Sequence, residues 1–379
     1  MEIRRSGVGR EVTAIVGLGT AVPPHRVTRG AAADWMSRAL AGDDGAVRLA
    51  RRVIRRSGID VRHACVPDFS RGGEPLLLGE RSPGTSARMD AFREHAPPLA
   101  AAACRRALAS AGVAPDAITH LVVVTCTGFY APGPDVDLVH LLGLRPDVER
   151  TLVGFMGCYA AFNGLRAGRQ AALSRRDAKA LVVCVELCSL HFRPDPAPDN
   201  VVANALFGDG AAAVVVAADR DGCEPLVRLG PAATRVEPGT GRAMGWEIGD
   251  DGFRMRLSSY VPQLVAAPLA EFVAPLRAPE TASWCVHPGG RAVLDHVEDA
   301  LALGPDALAS SRGVLRDLGN VSSATLLFVL EREIARLAEG DRGVMLGFGP
   351  GLTLEAAAFT RGPRALAVER APAADAVRG

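Results

Sequence analysis

Short β-branched runs alternate with longer stretches of helical periodicity along this chain. The runs Thr13–Val16, Leu121–Thr125, Leu181–Val185, Ala213–Val216, Trp284–Val286 and Val344–Leu346 predict strands. Their near-continuous apolar character predicts burial on both faces of a sheet. Helical spacing fills Pro97–Ala111, Ala160–Leu173, Arg291–Leu303 and Ser322–Ala338. Such alternation predicts an α/β protein. The polar, Pro- and Gly-rich stretch Asp219–Gly245 is the expected seam between an N-terminal half over 1–220 and a C-terminal half over 221–379. Asp68–Gly84 and Phe192–Asn200 read as long loops, and the segment from Arg361 as a frayed end.

An echo crosses that seam. Gly157-Cys158-Tyr159-Ala160-Ala161 in the first half matches Gly319-Asn320-Val321-Ser322-Ser323 in the second, and each precedes an apolar helix. Glycine clusters follow both, Gly208-Asp209-Gly210 and Gly347-Phe348-Gly349-Pro350-Gly351. If the halves are duplicates, Cys158 and Asn320 stand at equivalent helix starts and face one site between them.

Composition narrows the function. The chain has 379 residues with a formal net charge of +1 and no concentrated basic face, so nucleic acid is not an expected partner. No apolar run reaches the ~18 residues of a membrane span, and no apolar segment follows the basic start, so a cytoplasmic protein is expected. Eight cysteines are too few for a disulfide scaffold in a chain this long. The single lysine, Lys179, lies in a polar stretch that reads as a surface turn, which argues against Schiff-base chemistry. Cys184, Cys188 and His191 have metal-like spacing but begin inside an apolar strand and lack a second ligand pair, so no metal is expected.

Cys158 is the foremost candidate nucleophile. At a helix start the macrodipole favours thiolate, and small neighbours let backbone N–H groups approach an acyl oxygen. His287 ends a strand and opens a Pro-Gly-Gly turn, where it could pair with a thiolate, donate to an oxyanion or cap a helix. Asn320 alone reads as an N-cap. Together the three form a Cys-His-Asn set suited to acyl transfer, in which the neutral Asn supports an enolate or oxyanion. Gly347-Phe348-Gly349-Pro350-Gly351 leads into another strand-like run and lacks the helix and acidic partner of a dinucleotide fingerprint, and Gly17-Leu18-Gly19 has no third glycine, so redox nucleotides are not expected. Arg48, Arg51, Arg52, Arg55 and Arg56 share a helical spacing; they read as a solvated face or as a phosphate clamp.

With those residues in view, the chain resembles the chalcone/stilbene synthase family, the type III polyketide synthases. The resemblance runs from about Ile15 to Phe359. It rests on five ordered segments: Gly-Phe-Met-Gly-Cys158-Tyr-Ala-Ala, Leu206-Phe-Gly-Asp-Gly-Ala-Ala-Ala, His287-Pro-Gly-Gly, Gly319-Asn-Val-Ser-Ser and Gly347-Phe-Gly-Pro-Gly351. It implies a thiolase fold with a duplicated αβαβα core, a homodimer, and catalysis by Cys158, His287 and Asn320. It further implies acyl-CoA and malonyl-CoA as substrates and no cofactor beyond these thioesters. Arg52 and Arg56 would hold the CoA phosphates. Cys126, Thr127, Ala131, Cys188, His191, Phe207, Met255, Ser322, Gly349 and Pro350 would line the substrate pocket.

Departures from the family pattern bear on the substrate. Met255 replaces the second of two gatekeeper phenylalanines, of which Phe207 matches the first. Cys126, Cys188 and His191 stand where plant chalcone synthases carry threonines, and Ala131 where they carry a methionine that crosses the dimer. Thr127, Ala131 and Cys188 resemble the set of bacterial members that open a tunnel for long acyl starters. A fatty acyl-CoA starter and an alkylpyrone or alkylresorcinol product are therefore expected. The alternative is that neighbouring side chains fill the gap, leaving malonyl-CoA alone or a short or aromatic starter. A ketoacyl synthase III-like enzyme shares fold and nucleophile, but His287-Pro-Gly-Gly argues against it. The full Cys-His-Asn set argues against a non-catalytic binding module.

Overall fold

The computed structural model describes residues 12–69, 83–220 and 224–366. Its strands are β1 (Thr13–Ala21), β2 (His25–Thr28), β3 (Val61–Ala64), β4 (His120–Thr125), β5 (Glu149–Gly154), β6 (Lys179–Leu187) and β7 (Asp209–Ala218). The second half adds β8 (Val227–Val236), β9 (Met244–Gly249), β10 (Gly252–Leu257), β11 (Thr281–Val286), β12 (Arg342–Gly349) and β13 (Thr353–Arg361). Nine join one mixed sheet in the order β11-β12-β13-β8-β1-β7-β6-β4-β5. β2 pairs with β3, and β9 with β10, as small antiparallel ribbons.

The strands are apolar on both faces because helices cover both. In β4, Leu121 and Val123 join one core cluster while Val122 and Val124 join the other. In β12, Val344 and Leu346 face one way and Met345 the other. This is the period-2 alternation of a strand with no solvent side. The helices Ala160–Ala172 and Thr325–Ile334 form a middle layer between two arms of the sheet, where Leu165 and Leu327 share a core with Val182, Val214, Cys285 and Met345. Thr85–Ala111 covers the outer face of the first arm. Val261–Ala266 and Arg291–Leu301 cover the second, where Val265, Leu294 and Val297 cluster with Trp284 and Val286. Helix, sheet, helix, sheet, helix is the layering of the thiolase fold.

Several elements differ from expectation. The helix expected from Pro97 begins at Thr85 and carries Pro97 and Pro98 inside it. Proline disfavours a helix interior locally, but full burial of Phe92, Ala96, Ala100 and Ala103 outweighs that. The expected seam holds β8, which pairs with both β13 and β1, so the sheet runs through it unbroken. The loop expected to Asn200 turns helical at Pro198, and Lys179 opens a strand rather than a turn. Ser322–Ala338 begins as a 3-10 turn and is α-helical only over Thr325–Ile334. Most of the expected loop Asp68–Gly84, and the end beyond residue 366, lie outside the described residues. Arg364 is tied down, donating to the carbonyl of Ala111 at 3.0 Å. Among the described residues no helix is long and apolar enough to cross a membrane.

Gly17 and Gly19 are fold determinants rather than a nucleotide loop. A Cβ at Gly17 would sit 2.2 Å from the Ala107 carbonyl oxygen, and one at Gly19 2.5 Å from the Ala107 nitrogen. The strand thus lies directly on the backbone of Thr85–Ala111. Gly17→Ala is expected to destabilise the protein by about 2 kcal/mol or more through overpacking. A lowered midpoint in denaturant unfolding checks this; an unchanged midpoint contradicts the close packing.

Candidate active site

Three loops, two of them leading into middle-layer helices, converge at the ends of the strands. Cys158 lies in the elbow between β5 and the helix Ala160–Ala172. Gly157 takes φ +84°, and its missing Cβ leaves room for Pro350, whose Cδ would otherwise lie 2.4 Å away. Gly349 packs against the elbow from behind, where a Cβ would sit 2.7 Å from Cδ1 of Tyr159 and 3.3 Å from the Cys158 nitrogen. The second glycine cluster therefore braces the elbow of the first half.

Asn320 is held by backbone pairing with the other half. Its N–H donates to the Leu206 carbonyl at 3.0 Å, and its own carbonyl accepts from Gly208 at 3.0 Å, forming a bridge beside Phe207. Its side-chain oxygen accepts from the Ser322 N–H at 2.9 Å, so the amide's NH2 end is turned towards Gly289 and the sulfur of Cys158. Ser322 has φ +46°, a left-handed backbone that non-glycine residues rarely take. Its hydroxyl lies 3.3 Å from the Cys126 sulfur and also hydrogen-bonds Cys158. His287 directly follows β11, and its N–H donates to the Leu346 carbonyl at 2.8 Å. Both ring nitrogens are buried without a protein partner.

Cys158, His287 and Asn320 line one cavity of about 590 Å³. Its wall also includes Cys126, Thr127, Cys188, His191, Phe207, Met255, Ser322 and Pro350, and Arg52 and Arg56 stand at its mouth. Gly349 lies behind the wall. Ala131 is exposed and not part of the lining, so the pocket role expected for it does not hold within one chain. The metal-like triplet does not converge, since Cys184 packs into the middle layer while Cys188 and His191 face the cavity.

The electrostatics reverse one expectation. A helix start was expected to lower the Cys158 pKa, yet burial pushes it up to about 12, against the opposing pull of Ser322 and Asn320. Burial likewise pushes His287 down to about 3. Desolvation penalises each charge taken alone. A proton passed from thiol to imidazole would create two opposite charges at once, and the ring of His287, which lines the same cavity, has no protein partner at either nitrogen.

Sequence reasoning missed the far wall. Trp246 donates its indole N–H to the Cys126 carbonyl at 2.7 Å and stands opposite Met255 across the β9–β10 ribbon. His191 stacks on Phe253 at 4.1 Å and meets Trp246 edge-on at 5.5 Å. Its Nδ1 accepts from the Phe253 N–H at 3.1 Å, which leaves Nε2 to donate to the Thr127 carbonyl at 2.7 Å. Phe129 and Phe155 pack behind Phe253, at ring-centre distances of 6.4 and 5.5 Å. A lone tryptophan in a polar, glycine-rich stretch was the available signal.

A thiol at a sheet-to-helix elbow, joined by His and Asn from the second half of a thiolase fold, defines the class as a condensing enzyme of acyl thioesters. The chain belongs to the chalcone and stilbene synthase family: the N-terminal domain model matches residues 1–220 and the C-terminal domain model residues 228–361. It is 35% identical over 381 residues to the bisdemethoxycurcumin synthase of Oryza sativa subsp. japonica, covering 94% of each chain. Among solved structures it resembles PKS-I of the brown alga Ectocarpus siliculosus, with TM-score 0.87 and 32% identity over 93% of this chain and 99% of that one. A type III pentaketide synthase from Neurospora crassa gives TM-score 0.84 and 27% identity over 92% and 99%. The chain is thus a type III polyketide synthase by family, an acyltransferase that needs no cofactor beyond CoA thioesters.

If His287 takes the thiol proton, His287→Ala leaves Cys158 with only its burial-raised pKa. Iodoacetamide alkylation of Cys158 at pH 7 should then slow more than about tenfold, because only thiolate reacts. Raising the pH should recover the rate. Equal rates in variant and wild type would remove His287 from that role.

Proposed function

We propose that this protein builds a short polyketide from malonyl units, with malonyl-CoA acting as both starter and extender. The aromatic wall of His191, Phe253 and Trp246 carries this reading. These rings line the cavity beside Thr127 and pack on one another, and His191 is hydrogen-bonded to the Thr127 carbonyl, which supports a wall limiting chain length there over the tunnel for a fatty acyl starter, with its alkylpyrone or alkylresorcinol product, expected from Thr127, Ala131 and Cys188. Arg52 and Arg56, on the exposed face of Asp44–Arg56, suit the phosphates of CoA at the mouth.

The chemistry follows from the groups in place. His287 takes the proton of Cys158 as the sulfur attacks the starter thioester, and CoA leaves as the thiol. A malonyl-CoA then enters and loses CO2, and the electron pair of the broken C–C bond becomes an enolate. The Asn320 amide and the His287 ring donate to the enolate oxygen, stabilising charge where it develops. The enolate carbon attacks the Cys158 thioester and expels thiolate, a good leaving group and a ready nucleophile for the next cycle. The extended chain, now a CoA thioester, is attacked in turn by the Cys158 thiolate and returns to the cysteine as CoA leaves, so each full cycle consumes one malonyl-CoA and one proton, releases CO2 and CoA thiol, and lengthens the chain by two carbons. We also propose a homodimer, supported by the unpaired edge strand β5 with Leu152 exposed and by Leu141 exposed on the adjoining helix Pro134–Leu142.

Product mass spectrometry tests the starter. Purified protein given malonyl-CoA alone should form product, and long acyl-CoAs should add little. Trp246→Ala should open the wall and admit longer starters, raising their use by about tenfold per two added carbons at ~0.8 kcal/mol per buried CH2. Wild-type products that form only with long acyl-CoAs and track their mass would overturn the proposal.

A further inference from the structure

Arg62 does not line the cavity, yet its buried guanidinium lies beneath the junction that presents Asn320. From β3 its Nη1 donates to the carbonyl oxygens of Asn204 and, at 2.9 Å, Phe207. Its stem occupies the space of two missing side chains: a Cβ at Gly319 would lie 2.9 Å from its Cγ, and one at Gly208 3.3 Å from its Cβ. Those glycines flank the bridge in which Phe207 and Gly208 of the first half pair with Asn320 of the second. β3 is pinned to the second half as well, since the Asp60 N–H donates to the Arg316 carbonyl at 2.8 Å.

The charge is retained despite burial. Desolvation pushes Arg62 down to about 10, partly offset by attraction to Asp209, so it remains a cation at neutral pH. Asp209 is itself filled by neutral donors: the N–H groups of Cys65 and Ser189, both at 2.8 Å, and the Ser189 hydroxyl at 2.6 Å. A buried cation is a costly way to fill a core compared with an apolar side chain of similar volume. What the guanidinium adds is a planar terminal NH2, fixed in direction by the group's rigidity, whose Nη1 holds two carbonyls of one segment while the stem abuts the other.

We propose that Arg62 is a positioning residue that sets Asn320 and Phe207 for malonyl-CoA decarboxylation and leaves the acylation of Cys158 untouched. This rests on the role proposed above for Asn320. Arg62→Lys keeps the charge and loses the planar, directionally fixed donor group, while Arg62→Met loses both.

Malonyl-CoA decarboxylation, Cys158 alkylation by iodoacetamide and thermal unfolding would be measured on each. Displacing Asn320 by an ångström should cost about a hundredfold in decarboxylation kcat with little change in KM. Alkylation of Cys158 should stay within about twofold of wild type, and the Lys variant should remain folded. A parallel fall in both reactions, no fall in decarboxylation, or failure of both variants to fold would overturn the proposal by leaving Arg62 a structural role alone. A wild type that releases no CO2 from malonyl-CoA would instead defeat the functional reading on which it rests.

Discussion

Burial of a thiol and an imidazole in one cavity governs much of this molecule's design. Each group alone is driven to its neutral form, Cys158 upward and His287 downward in pKa. Neither can carry charge cheaply without an opposite charge arriving with it. With Cys158 as the proposed nucleophile, that would tie its activation to proton transfer within the site and make the neutral donors around it matter. Asn320 and Ser322 supply those donors, and both come from the second half of the chain. The fold must therefore bring two halves to within hydrogen-bonding distance, which the continuous sheet, the shared middle layer and the Phe207–Asn320 bridge accomplish.

The same burial separates reaction from selection. The groups that would carry charge sit on the ends of rigid strands and helices, braced by glycine contacts at Gly157 and Gly349. The wall proposed to limit the starter is built from the β9–β10 ribbon and from the turn carrying His191, whose ring is neutral and held at both nitrogens. Trp246 and His191 contact one another, Phe253 and the backbone of Cys126 and Thr127, apart from the Cys158–Asn320–Ser322 contacts. On the proposed function, this wall could change with the starter while the reacting groups stay the same.

Much of the architecture was legible in the sequence because the relevant signals are local. Strands apolar on both faces, such as Leu181–Val185, announce a sheet covered by helices on either side. The Gly-Cys elbow and its Gly-Asn echo announced two approaches to one site, and Cys158 and Asn320 do meet there. What escaped depended on contacts through space. The helix through Pro97 is held by the burial of Phe92 and Ala100 rather than by local preference. β8 hides in a polar stretch because part of it is exposed, and only its pairing with β13 and β1 identifies it. The sign of the Cys158 shift followed from burial, which the helix-start argument did not count. The wall escaped because Trp246 and His191 are 55 positions apart in the chain and meet only when the ribbon folds over the cavity.

Among the described residues three thiols line the cavity, Cys126, Cys158 and Cys188, and the proposed mechanism places the acyl group on Cys158 alone. Rapid acid quenching of the protein during turnover with malonyl-CoA, followed by peptide mass mapping, tests that assignment most directly. The account predicts an acyl adduct confined to the peptide containing Cys158. Product formation with the adduct on Cys126 or Cys188, or with no adduct on any cysteine, would contradict it.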